Sequence, residues 1–177
     1  MTAELTRRQT LTGGAALGWF LVSGSWLRVT PAEAVELGFE PQSLSPSQCK
    51  TLEVLAEALV PGAKSAGIAA YVDSQLSAGS NSLLLAKYVG VATDQQLGFY
   101  TAAIDAAAFA MRPSDATAEA VVSAMATDNV ADWQGPPASF FFFLLRADAL
   151  DVVYGTGRGF AELGIPYMAH ITPQESW

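Results

Sequence analysis

Pro136-Pro137-Ala138-Ser139-Phe140-Phe141-Phe142-Phe143-Leu144-Leu145-Arg146-Ala147-Asp148-Ala149-Leu150-Asp151-Val152-Val153-Tyr154-Gly155 decides the fold class. It reads as one helix with clear ends. Pro137 suits a first turn, where its missing N–H is no loss. Gly155 follows the last periodic residue, where a helix stop commonly needs a positive φ. Phe140, Phe143, Leu144, Ala147, Leu150 and Tyr154 recur at three- and four-residue steps and make the expected core stripe. Phe141, Phe142, Leu145 and Val152 fall off that stripe, so the first turns are apolar all round, as in a buried helix. The alternative is a short β-strand. Length favours the helix, as does the late cluster of Arg146, Asp148 and Asp151, which reads as a wet flank.

The rest of the chain agrees with a helical reading. Of 177 residues, 51% are apolar and only 15% charged, enough for one domain with a real core. Alanine is abundant and strand formers are sparse outside the phenylalanine run, which favours helix. Ser45, Pro46 and Gln48 form a capping box ahead of a helix with Leu52, Leu55, Ala56, Leu59 and Val60 inside, stopped at Pro61-Gly62. A short helix follows from Gly67 to Leu76, then a loop over residues 77–82 and a helical piece over 83–89. Asp94 is the expected cap of a helix with the stripe Leu97, Tyr100, Ala103, Ile104, Ala107 and Met111. Ser114 or Asp115 is the expected cap of another over residues 118–125. Residues 35–43 read as an extended arm and residues 155–177 as a mostly irregular tail. The expectation is an all-α fold: a compact, irregular multi-helix domain over residues 35–177.

Residues 1–34 read as an address. Arg7 and Arg8 are followed by Leu11, then by a glycine-diluted apolar run over residues 13–24. Ala32 and Ala34 stand at the two small positions that a signal peptidase reads. The order matches a twin-arginine export signal. The apolar run is too short for a spanning helix, which needs about 20 apolar residues. The net charge is −8. A cut after Ala34 removes Arg7, Arg8, Arg28, Glu4 and Glu33, leaving six basic and fifteen acidic residues, a net charge of −9. No basic stripe is present to follow a phosphate backbone, which argues against nucleic acid.

The chain shows no self-sufficient chemistry. Cys49 stands alone, without a disulfide, zinc or haem-attachment pattern. His170 is the single histidine, with no nucleophile standing out beside it. The run Gly155-Thr156-Gly157-Arg158-Gly159 lacks the spacing and the preceding strand of a dinucleotide loop, and reads as a helix-terminating loop. Asp128 and Asp132 lack the rest of a calcium loop. Asp148 and Asp151 read as a solvated acidic flank. No catalytic, cofactor or metal residue is therefore assigned. Tyr154, Phe160, Tyr167, His170 and Trp177 are the candidate partner contacts, because the tail holds too much apolar surface to stay wet.

Several pieces together resemble a known family. They are the twin-arginine leader, Leu44-Ser45-Pro46-Ser47-Gln48, the block from Leu52 through Leu55-Ala56-Glu57-Ala58-Leu59-Val60-Pro61-Gly62-Ala63, Tyr71-Val72-Asp73, Phe142-Phe143-Leu144-Leu145-Arg146 and Leu163-Gly164-Ile165-Pro166. The chain resembles the gluconate 2-dehydrogenase subunit 3 family. That resemblance implies a small, cofactor-free, mostly helical partner of a large FAD-bearing dehydrogenase of the glucose-methanol-choline type. It also implies a cytochrome partner carrying haem c. The small subunit then supplies the export signal and helps the large subunit mature and cross by the twin-arginine translocation machinery. The expected location is the periplasm or the outer face of the cytoplasmic membrane. Two other readings stand beside it: a stand-alone exported helical ligand-binding protein, and an enzyme using His170.

Overall fold

The computed structural model describes residues 18–164. Among them the chain forms a two-stranded hairpin, β1 (Gly18–Val22) and β2 (Ser25–Val29), followed by seven helices. These are α1 (Pro31–Glu36), α2 (Pro46–Leu59), α3 (Ile68–Ser77), α4 (Gln96–Ala110), α5 (Ala118–Met125), α6 (Ala138–Tyr154) and α7 (Gly157–Glu162), with 3₁₀ turns at Gly79–Asn81 and Leu85–Tyr88 between α3 and α4.

The all-α expectation is therefore corrected: the fold is mostly helical with an antiparallel hairpin. The hairpin takes up residues 18–24 of the run read as the apolar part of a leader and continues to Val29. Two five-residue runs rich in strand formers flank Ser23-Gly24, and both turn residues take positive φ (48° and 77°). That backbone matches the twist of the strands it joins. The register pairs Trp19 with Arg28 and Leu21 with Trp26, and Phe20 with Leu27 on the other face. Residues 35–43 are not wholly an extended arm either, because Val35 and Glu36 close α1.

α2 is the central element, packing on α3, α4, α5 and α6. Its start follows the sequence: the Ser45 Oγ accepts from the Gln48 amide, and Gln48 Oε1 accepts from the Ser45 amide at 2.9 Å. Leu52, Leu55 and Ala56 are fully buried. At its far end the Glu57 carboxylate accepts from the Gly62 and Lys64 amides, each at 2.9 Å, and fastens the Pro61-Gly62 turn back on the helix. Those two amides hold the Glu57 carboxyl below its ordinary pKa. Asp73 on α3 does a similar job at the start of α2. Its buried carboxylate accepts from the backbone amides of Gln42, Ser43 and Leu44 at 2.7–2.9 Å.

Other ends differ from expectation. Thr117, not Ser114 or Asp115, caps α5, accepting from the Ala120 amide. Asp94 does not cap α4, whose N-cap is Gln95 without a side-chain bond. Residues 83–89 make a 3₁₀ turn over Leu85–Tyr88 rather than a longer helix. Gly155 ends α6 with φ −72°, not a positive φ. A side chain there would meet the Asp151 carbonyl oxygen at 2.5 Å, so close approach is what requires glycine. Gly157 and Gly159 lie inside α7, so the glycine run is not simply a terminating loop.

Candidate functional site

α6 carries both features that bear on function, an exposed apolar face and a buried acid. The helix begins at Ala138 without a cap of its own. Asp128, across the preceding loop, accepts from both the amide and the hydroxyl of Ser139. Those two bonds hold the Asp128 carboxyl below its ordinary pKa. Trp133 closes the same loop, its Nε1 donating to the Pro136 carbonyl at 2.6 Å.

The helix buries a different face from the one its spacing predicts. Inside are Ala138, Phe141, Leu144, Leu145, Asp148, Ala149 and Val152. Phe141 lies edge-on to Tyr100 of α4, with ring centroids 5.9 Å apart and planes at 90°. Phe99 meets Phe140 in the same manner at 5.6 Å. Of the expected stripe, only Leu144 is fully buried. Phe143 is 50% exposed and Leu150 38%, while Phe140, Ala147 and Tyr154 are half-buried. Phe143 and Leu150 stand one above the other on the side turned to solvent; Ala147 and Tyr154 continue their spacing but are half-buried, Tyr154 against the main core.

Asp148 corrects a second expectation. It is not part of a wet flank: it is 1% exposed, and the Tyr100 hydroxyl donates to its Oδ2 at 2.6 Å. Its Oδ1 has no hydrogen-bond partner. Burial pushes the carboxyl up to about 7, and Asp151 adds to the rise; the Tyr100 hydroxyl and the Leu85 backbone pull the other way. Tyr100 is raised well above its ordinary value, first by burial and then by Asp148. Tyr71 of α3 is raised by burial and then by Asp148 and Asp151. The acid thus joins α6 to α4 inside the core, under no surface that a substrate can reach. Partial burial raises the Asp151 carboxyl as well. It stays exposed and does not pair with Asp148 as a chemical dyad.

Cys49 is buried on α2, and burial followed by the nearby Asp73 and Glu53 charges pushes its thiol up to about 12. A neutral thiol of this kind is a small packing group. Among the described residues no group of three or more His, Cys, Asp and Glu is placed to hold a metal. No helix among them is long and apolar enough to cross a membrane. Two open grooves of about 510 and 420 Å³ lie along α4 and share Phe109 and Asp132. The larger runs between α4 and α5 over Ala110, Val121, Ala124 and Val130.

Of the predicted partner contacts, Tyr154 and Phe160 are half-buried at the C-terminal end of α6 and on α7. Tyr167, His170 and Trp177 lie outside the described residues, as do Arg7, Arg8 and Leu11 of the predicted leader. Ala32 and Ala34 are in α1, half-buried and fully buried. Sequence reasoning missed the Trp19–Trp26 face of the hairpin, where the two indoles are 62% and 56% exposed. The signal was present, as two apolar runs around a two-residue Ser-Gly loop. Comparison of the chain with protein-family models, with characterised proteins and with solved structures finds no match.

Proposed function

We propose that this chain is the non-catalytic small subunit of an exported FAD-dependent sugar, sugar-acid or alcohol dehydrogenase complex. In this reading FAD belongs to the large catalytic subunit and haem c to a cytochrome partner. The small subunit supplies the twin-arginine signal and supports maturation of the large one, outside the cytoplasm. The observation that carries the reading is the solvent-facing side of α6. Its helix already has a complete buried face, yet Phe143 and Leu150 lie in water on the opposite side. Aromatic side chains such as Phe143 are enriched in protein interfaces relative to the rest of the surface.

The most specific block of the family resemblance supports the reading in another way. Leu52, Leu55, Ala56, Val60 and Ala63 are buried, and Glu57 fastens the turn that follows them. These residues build a scaffold rather than a reaction centre. The test is co-purification of the tagged chain from its own cells, with an absorbance spectrum of the product. Phe143→Asp should reduce the co-purifying flavin at least about tenfold, the equivalent of 1.4 kcal/mol of binding, without unfolding the chain. Equal flavin recovery from the variant would remove α6 from the interface. One observation favours a second reading, a helical ligand-binding protein: the apolar groove of about 510 Å³ between α4 and α5. Titration of the isolated chain with an environment-sensitive apolar dye, with Val121→Trp as the blocked control, would reveal it.

A further inference from the structure

The residues that a signal peptidase would have to engage are folded into the body of the protein. The bond after Ala34 lies within α1, two residues before its end. Thr30 and Glu33 hold the helix start through a reciprocal capping box, and Pro31 occupies its first turn. Ala34 is fully buried; its amide donates to the Thr30 carbonyl and its carbonyl accepts from the Phe39 amide, both at 2.9 Å. A peptidase needs such a segment extended and free, and nicking accordingly concentrates in exposed loops.

The segment is also docked. Phe20, Val22, Ala34 and Ala70 form a small core of their own, with Val29 and Phe39 packed on it. Phe20 and Phe39 meet edge to face at 6.2 Å. The Glu40 amide donates to the Leu21 carbonyl, and the Gly24 amide donates to the Glu40 carboxylate, both at 2.9 Å. At Gly67, which precedes α3 with φ 83°, a Cβ would lie 2.4 Å from the Pro31 carbonyl carbon and 2.5 Å from its oxygen. Only glycine lets α1 approach the start of α3 this closely.

We infer that folding closes the processing site, so that residues 18–36 stay in the folded protein as a structural part rather than leaving as a leader. A cut after Ala34 would release both strands and most of α1, and would uncover Ala70 and Phe39. The inference rests on the leader reading only for the choice of peptidase; the burial stands whether or not the chain has a flavoprotein partner.

The test is digestion of the purified full chain with a bacterial signal peptidase in detergent micelles, followed by intact mass. Two further substrates accompany it: a peptide of residues 1–40, and the full chain carrying Phe20→Asp and Val22→Asp, whose main core is separate from the hairpin contact. The peptide and the double variant should be cut between Ala34 and Val35. The wild-type chain should be cut at least about tenfold more slowly, because cleavage then waits on local opening. Wild-type cutting at the peptide's rate would overturn the inference. So would an uncut peptide, which leaves no site to shield, or a double variant as resistant as wild type, which would separate protection from docking. None of these outcomes depends on a partner, so the subunit reading is tested separately.

Discussion

Asp148 sets a pH dependence that can be worked out in sign. Its carboxyl keeps a proton up to about pH 7 in the folded protein, whereas the ordinary value is 3.8. Between those values the folded state binds the extra proton, so stability falls as pH rises from about 4 to about 7 and then levels off. The full effect is on the order of 4 kcal/mol at most. Asp148→Asn should flatten this slope and raise stability at pH 8, leaving a small residual of the same sign from Asp151. Urea midpoints at pH 4.5 and pH 8 for both proteins check it; a wild-type midpoint that does not fall would contradict the burial of a lone acid. Asp73 is the contrasting case, because its carboxylate accepts three backbone amides. Asp73→Ala leaves those donors without their acceptor and should cost about 3 kcal/mol, read from a thermal melt. Cys49, buried with its thiol pushed up to about 12, should resist a maleimide at pH 8 until the chain is unfolded.

At the scale of elements, the two faces of α6 make opposite predictions. Phe141 is fully buried, and Phe141→Ala should cost about 3–5 kcal/mol of stability. Phe143 is half exposed, and Phe143→Ala should cost less than about 1 kcal/mol in the isolated chain. Chemical denaturation of both variants measures the contrast, and equal losses would mean that the outer face is not free. This helix also shows what was legible in the sequence. Its existence was: Pro137 and Gly155 bracket it, and its length favours a helix over a strand. Its phase was not, because an apolar residue stands on either side in the first turns, and spacing alone cannot rank two stripes. Only the partner decides. Tyr100 on α4 draws Asp148 inward with its hydroxyl and packs on Phe141, which turns Phe143 outward. The capping box of α2 was legible because it is local. The hairpin was missed because the same residues also fit an export leader, and nothing in the run itself says which use prevails. Asp128 as the outside cap of α6 was not legible either, since it reaches Ser139 across eleven positions of chain.

For the whole molecule, one main core spans α2 to α6, and a smaller one joins the hairpin and α1 to α3. Exposed apolar side chains stand on several elements, among them Trp19 and Trp26 on the hairpin, Phe109 on α4, and Phe143 and Leu150 on the outside of α6. The outer face of α6 is the surface that the proposed subunit role would use. The most direct test of this claim is recovery of the tagged wild-type chain from its own cells beside the Phe143→Asp variant, with flavin absorbance read against protein. A large flavin-bearing protein should accompany the wild type and be lost from a variant that remains folded. A colourless, monomeric wild-type chain would contradict it.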